Sequence, residues 1–326
     1  MKRNISIIYI IYYLGINGLK LRNNKVKVVL KKTLAAGLRN LTNHRTDCQQ
    51  ADCYPPSKDL LLGRSKFLYA SSTCGLTQPQ PFCVLGSKKN KPSSRCYTCD
   101  STNSSSRFSH RVENLIFTNQ VRYNHRGREL PSQWWQAENG KENVYIQFDL
   151  EGELTMTHLI MRFKSLPPAA MTIEKSVNYG QTWTVQAYYA FDCELTFPNV
   201  GTVNLKDLNK HFCTNKFSGL GVTSGAELYY APLLQLSNKS IDRTHLQSLL
   251  KLTNLRFNFS GLHMLDDKPK NYYYAVNEIR VIGSCLCNGH SSECIREMHI
   301  EYDSEYVNQM MHSRCKCLHK TGLFFF

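Results

Sequence analysis

Apolar and polar positions alternate through the middle of the chain. Val144, Ile146, Phe148 and Leu150 are separated by Tyr145, Gln147 and Asp149, a period of two that lays one apolar face on a core. Glu151-Gly152-Glu153 reads as a turn, after which Leu159, Met161 and Phe163 repeat the alternation against His158, Ile160 and Arg162. Pro167-Pro168 ends this second strand, because proline donates no ladder hydrogen bond. Met171 and Ile173 open a third, and Asn178-Tyr179-Gly180 supplies the turn after it. Later, Thr253, Leu255, Phe257 and Phe259 alternate, as do Tyr272, Tyr274 and Val276, which run on into Ile279 and Val281. The parity shift at Asn277-Glu278 predicts a β-bulge, and Gly283 closes the domain. One short helix is predicted over Ser240–Leu250, capped by Ser240 or Asp242. Short strands with turn signals at this spacing predict an antiparallel sandwich, not a parallel α/β sheet.

Trp134-Trp135 lies just before the first of these strands. Adjacent strand residues face opposite ways, so one tryptophan belongs to the core and the other packs on the second face or anchors a partner. Packing is the reading adopted. The following Gln136-Ala137-Glu138-Asn139-Gly140 suits an exposed loop with positive φ at Asn-Gly.

A chain of 326 residues is long enough for one large domain and a small one. Its net charge of +15 raises nucleic acid as a partner until the charge is located. Residues 1–45 hold ten Lys/Arg and no Asp or Glu, leaving 30 basic against 25 acidic side chains in the rest. No basic stripe on a folded face survives, and a nucleic-acid role is set aside. The same leader opens with Lys2-Arg3 and an apolar run from Ile5 to Leu14. That run has signal-peptide length but falls short of the about 20 residues that span a bilayer. No small-x-small cleavage site follows, so residues 1–45 read either as a signal with a spacer or as a start joined to the gene in error.

Thirteen cysteines fall in two groups, eight between Cys48 and Cys213 and five between Cys285 and Cys317. Such usage points to an oxidising compartment. The sequons at Asn103, Asn238 and Asn258 agree with it, and Asn258 sits on the polar side of its strand. Cys193 and Cys213 bracket a loop that a disulfide can close. From Cys285 the segment has almost nothing apolar to bury, reads as cysteine pairs around a polar loop, and needs covalent staples.

Zinc is the rival for these thiols, with Cys96-x-x-Cys99 resembling half a ribbon and His290 and His319 near cysteine pairs. The one-residue spacing at 285/287 and 315/317 and the sequons speak against it. No nucleophile elbow, phosphate loop, H-E-x-x-H or G-x-G-x-x-G occurs, and Glu138, Glu142, Asp149 and Glu153 read as solvent-facing charges. The chain is expected not to be an enzyme.

Eight ordered motifs then become familiar: Cys53-Tyr54-Pro55, Asp59–Arg64 (DLLLGR), Ser72–Leu76 (STCGL), Trp134–Gly140 (WWQAENG), Pro168–Met171 (PAAM), Tyr179–Trp183 (YGQTW), Thr253–Arg256 (TNLR) and Tyr273–Val276 (YYAV). Together they resemble the amino-terminal (LN) domain of laminin beta subunits, over 46–284. Residues 285–322 look like the first laminin-type EGF-like (LE) module, cut short, and 323–326 resemble a truncation tail. Tyr54-Pro55-Pro56, Ser109–Asn114 and Ser284-Cys285 lean toward beta-3-like members.

The resemblance implies an all-β, jelly-roll sandwich followed by a disulfide-rich fragment. It implies a secreted, non-enzymatic module of the basement membrane, the tip of a laminin short arm that polymerises with the LN domains of alpha and gamma subunits and so serves cell adhesion. Heparan sulfate or cell-surface receptors are further partners it admits. Glu138, Asn139 and Gly140 fall in a signature loop and become the candidate self-assembly contact. The family pattern implies the pairs Cys48–Cys53, Cys74–Cys99, Cys83–Cys96, Cys193–Cys213, Cys285–Cys294 and Cys287–Cys315, with Cys317 left over. Some LN domains bind calcium. Glu113 and Asn114 are candidate oxygens, but oxygen-rich spacing is not evident and no site or cofactor is assigned. Two alternatives stay open: a netrin-like guidance ligand, which shares the LN–LE order, and a carbohydrate- or heparin-binding sandwich.

Overall fold

The strands up to residue 163 are β1 (Lys58–Asp59), β2 (Leu68–Ala70), β3 (Gln80–Lys88), β4 (Lys91–Cys99), β5 (Trp135–Gln136) and β6 (Asn143–Phe163). The rest are β7 (Ala170–Ser176), β8 (Thr184–Ala190), β9 (Cys213–Thr214), β10 (Glu227–Tyr230), β11 (Lys251–Ser260), β12 (Ala275–Cys285), β13 (Cys294–Asp303) and β14 (Tyr306–Cys315). Two short helices, α1 (Cys193–Thr196) and α2 (Arg243–Leu250), and a 3-10 turn at Val112–Ile116 complete the described elements. This computed structural model describes residues 55–64, 67–88, 91–102, 108–116, 133–200, 213–218, 226–232, 243–263, 272–287, 293–303 and 306–315.

The expected turn at Glu151–Glu153 does not form. β6 is one strand of 21 residues that runs straight through it. Its first half, from Asn143 to Thr155, lies against β11, and the stretch from Leu154 to Phe163 lies against β12. The strand therefore trades β11 for β12, and the register shift against β12 between Ile282 and Gly283 turns its faces over. The buried set switches from even numbers, Val144 to Met156, to odd numbers from Leu159 onward, with the slip at Thr157-His158. In sequence, that phase change looks like a turn.

The main sheet orders as β1-β12-β6-β11-β7-β8-β9, with β2 and β10 also on β6 and β5 on β12. Every pairing in it is antiparallel except β8 with β9. The bulge expected at Asn277 is present, as a register shift between Val276 and Glu278. Phe259 of β11 joins the layers, its ring 6.2 Å from Phe163, 6.2 Å from Trp135 and 5.6 Å from Tyr274. Offset and edge contacts of this kind add to the apolar area that each ring removes from water.

Several motifs have a physical cause here. In Asp59–Arg64, Leu60 and Leu61 enter the core and Gly63 takes φ +80°. The buried Arg64 then reaches Glu151 in mid-β6, Nε to Oε2 2.8 Å. In Tyr179–Trp183, Gly180 (φ +84°) lets the turn close so that the indole of Trp183 donates to the Gly180 carbonyl at 3.0 Å. Lys175 of β7 is buried and donates to the carbonyls of Ser248 and Leu249, closing the end of α2. The expected cap positions of that helix, Ser240 and Asp242, lie outside the described residues.

The last strand of the sandwich continues past Gly283. β12 runs on to Cys285, and a Cβ on Gly283 would stand 1.9 Å from the carbonyl of Thr155, so only glycine lets the two strands meet. Cys285 and Cys287 are part of the sandwich core. They bond to Cys294 and Cys315, register partners at the open end of the β13–β14 hairpin. The polar loop expected between those cysteines is thus a pair of ten-residue strands. Backbone pairing and two disulfides support it. Among the described residues, no helix is long and apolar enough to cross a membrane.

Candidate functional site

The loop Glu138-Asn139-Gly140 hangs from β5, and β5 is gripped on both sides. Gln136 accepts from the amide of Cys74 at 2.8 Å, its own amide donates to the His110 carbonyl at 3.2 Å, and Ala137 donates to Tyr274 at 2.9 Å. Trp135 is fully buried and is the core member of the tryptophan pair. Trp134 packs on the other side. It stacks on His110 at 4.3 Å, meets Phe82 edge-on at 6.4 Å, and carries the ammonium of Lys164 4.8 Å from its ring centroid.

The loop itself is pinned by residues about sixty positions earlier. The amide of Glu138 donates to Ser72 Oγ at 3.0 Å, and that hydroxyl donates back to Glu138 Oε2 at 3.3 Å. The amide of Asn139 donates to Gln80 Oε1 at 3.4 Å, and its side-chain Nδ2 donates to the Pro81 carbonyl at 2.7 Å. Gly140 donates to Tyr272 at 2.8 Å and takes φ +71°, with open space where a Cβ would be. The loop is consequently less exposed than its Asn-Gly pattern suggests. Gln136 and Ala137 are buried, and Asn139 is spent on holding the loop. The carboxylate of Glu138 stays partly exposed, 3.6 Å from Lys141 Nζ.

The partner of the loop is the β3–β4 hairpin, closed by Cys83–Cys96 within it and by Cys74–Cys99 at its base. A Cβ on Gly75 would lie 2.5 Å from the Cys99 carbonyl, which explains glycine beside that bridge. Phe82 fills the small core under the hairpin with the Cys74–Cys99 pair. His110 closes the cluster. Its burial pushes the imidazole down to about 4, below the ordinary histidine range, so it is neutral near pH 7. Leu76, Tyr97 and Phe108 are left exposed around this hairpin. Sequence reading missed them as surface groups, although Tyr97 between Cys96 and Cys99 was a usable signal: a bridged two-stranded hairpin has no second layer to hide it.

With this geometry in hand, comparison with known proteins decides the family. The profile of the laminin N-terminal (Domain VI) family matches residues 53–283. The chain belongs to the laminin N-terminal family. It is 37% identical over 285 residues to laminin subunit beta-1 of Drosophila melanogaster and 39% identical over 294 residues to laminin subunit beta-4 of Danio rerio. Those matches cover 84% and 85% of this chain but 15% of each relative, so the chain spans a small part of their length. Netrin-4 of Pongo abelii is 31% identical over 299 residues, covering 89% of this chain and 45% of that protein. Among solved structures, chitosan-binding module 1 of a chitosanase/glucanase from Paenibacillus sp. IK-5 overlaps 46% of this chain and 76% of its own, at 12% identity and a TM-score of 0.26. An overlap that low says nothing about ligands.

The other residues singled out for this LN domain fall as follows. Cys193 is bonded to Cys213. Cys48, Cys53, Cys317, Asn103 and Asn238 lie outside the described residues, as do residues 1–45 and 323–326. Asn258 lies on β11, with its register partners Tyr145 of β6 and Thr172 of β7 beside it. The calcium candidates do not assemble a site among the described residues. Asn114 turns its NH2 group to the carbonyls of Ser109 (2.9 Å) and Trp134 (3.1 Å), the wrong end for a cation. Glu113 brings one carboxylate, with a buried Oε2 that has no hydrogen-bond partner, and no cluster of three or more metal-binding side chains joins it. Calcium asks for about six to eight oxygens.

Proposed function

We propose that this chain is the tip of a laminin beta-type short arm, a non-enzymatic extracellular module that assembles with the LN domains of alpha and gamma subunits in basement membranes. Residues 46–284 are the assembling domain and 285–322 begin the LE rod. The observation that carries the reading is the pinned Glu138–Gly140 loop. Its backbone and Asn139 are immobilised by Ser72, Gln80 and Pro81, and Ser72 also donates to the Glu138 carboxylate, which is thereby held in one place. A preorganised, partly exposed charge suits a reversible protein contact. Heparan sulfate and cell-surface receptors are secondary partners in this reading.

Sedimentation of the chain with alpha and gamma LN domains tests it. Glu138→Gln should weaken assembly while leaving the fold intact, because no packing is lost. Asn139→Ala is the poorer probe, since it also releases the hairpin. Unchanged sedimentation by Glu138→Gln would remove the loop from the contact. The match to Netrin-4 supports a second reading, a netrin-like guidance ligand. Transcript sequence beyond residue 326 separates the two: a netrin continues into three LE modules and a basic domain, a laminin into a coiled coil.

A further inference from the structure

One face of the β2–β6–β11–β7 layer carries an array that neither the core nor the loop uses. Tyr69 of β2 is half exposed, its ring 5.6 Å from that of Tyr145. The guanidinium of Arg256 sits 5.8 Å from the Tyr145 centroid and 3.8 Å from that of Trp183, and its Nε donates to Glu174 at 3.1 Å. Two residues further along β11, on the same face, is Asn258. It stands in register between Tyr145 and Thr172, and the Ser260 that completes its sequon follows on the same strand. Its Nδ2 donates one hydrogen to Thr172 Oγ1 at 3.0 Å, which fixes the amide and leaves its second N–H for substitution.

We propose that Asn258 carries an N-linked glycan seated on this face, its first sugars lying on the Tyr145 ring beside the Arg256–Trp183 stack. The chemistry is a glycosyl transfer. The Asn258 amide nitrogen bonds to C1 of an N-acetylglucosamine as the bond from C1 to the oxygen of a polyisoprenyl diphosphate donor breaks. The amide loses one proton, and the diphosphate lipid leaves. Flat aromatic rings and a guanidinium at the edge of an amide give a sugar both an apolar platform and polar partners. The consequence is that carbohydrate covers this layer and leaves assembly to the loop-bearing edge. The inference rests on the secretory reading above but not on polymerisation.

The test uses the full chain directed to the secretory pathway by an added signal peptide in animal cells, recovered folded whether or not it leaves the cell. Peptide mapping after enzymatic deglycosylation in heavy-oxygen water should mark Asn258 as modified, and Asn258→Gln should lose one glycan's mass. On the native protein, peptide N-glycosidase should release this glycan roughly fivefold faster from Tyr145→Ser than from the parent, the factor for one aromatic contact. Tyr229→Ser, a change on β10, should leave the rate unaltered. An unmodified Asn258 in the folded chain, or equal release rates from parent and Tyr145→Ser, would overturn the proposal. Because occupancy and release are read without alpha or gamma partners, failed polymerisation leaves this result standing, and the reverse also holds.

Discussion

The sandwich and the loop-bearing hairpin are held by different forces. The sandwich buries a continuous apolar cluster from Leu60 to Val281, set by alternation along long strands. Among the described residues, the β3–β4 hairpin rests on a small cluster of Cys74, Phe82 and Cys99, and its shape comes from two disulfides and from hydrogen bonds made across about sixty residues of chain. A two-stranded hairpin has too little apolar area for a core of its own, so covalent and polar pins take over. The contrast predicts that the two regions fail independently.

The largest effect should come from the sandwich. Phe257 is completely buried, and Phe257→Ala should cost about 3–5 kcal/mol in urea denaturation, with the loss spread over every strand that β11 touches. A cost confined to β11 in hydrogen exchange would break the picture of one cooperative layer pair. Replacing Cys83 and Cys96 together by alanine opens a loop with a sequence separation of 13. It should cost about 3 kcal/mol locally, read as lost exchange protection at Asn139 and Gly140 while β6, β11 and β12 stay protected.

Acid should act on the hairpin side through His110. Its pKa in the folded chain, about 4, lies below the ordinary 6.5, so the unfolded chain binds the extra proton between those values. Stability from this group is complete above about pH 6.5 and is lost as pH falls toward 4, a total of about 2–3 kcal/mol. In His110→Phe the slope between pH 6.5 and 4 should flatten, and an unchanged slope would assign the acid sensitivity elsewhere. The smallest effect belongs to Ser72→Ala, which removes both hydrogen bonds to Glu138. A loss of about 1 kcal/mol and a modest fall in sedimentation with alpha and gamma LN domains are expected. A fall as large as that of Glu138→Gln would show that the pin matters as much as the charge it holds.

How much of this was legible follows the same division. The alternation at Val144–Leu150 and at Thr253–Phe259 gave strands, faces and the sandwich class, because period-two burial is written locally. That one tryptophan of the 134/135 pair is core, and the bulge at Asn277, were readable for the same reason; that the core member is Trp135 was not. The continuity of β6 through Gly152 was not, because its cause is a change of partner from β11 to β12, each roughly a hundred residues or more away in sequence. Likewise, Asn139-Gly140 announced a bend, but nothing near it announced Ser72, Gln80 or Pro81. The β13–β14 pairing escaped notice although Met298, Ile300 and Tyr302 alternate with His299 and Glu301, because the cysteines around it drew the reading to a stapled polar loop.

The junction at Gly283 has a mechanical meaning. A pull applied to the chain beyond Cys287 loads β12 lengthwise, along its antiparallel seam with β6 from Val276 to Cys285. The rungs of that seam lie across the pull and bear it in shear, many at once, instead of opening one by one as a peeled edge would. Cys285–Cys294 ties the β13–β14 hairpin to the same strand, and Cys287–Cys315 ties it again just beyond. Tension in an arm built onto this segment would therefore reach β6, the strand that carries the sandwich's longest seams.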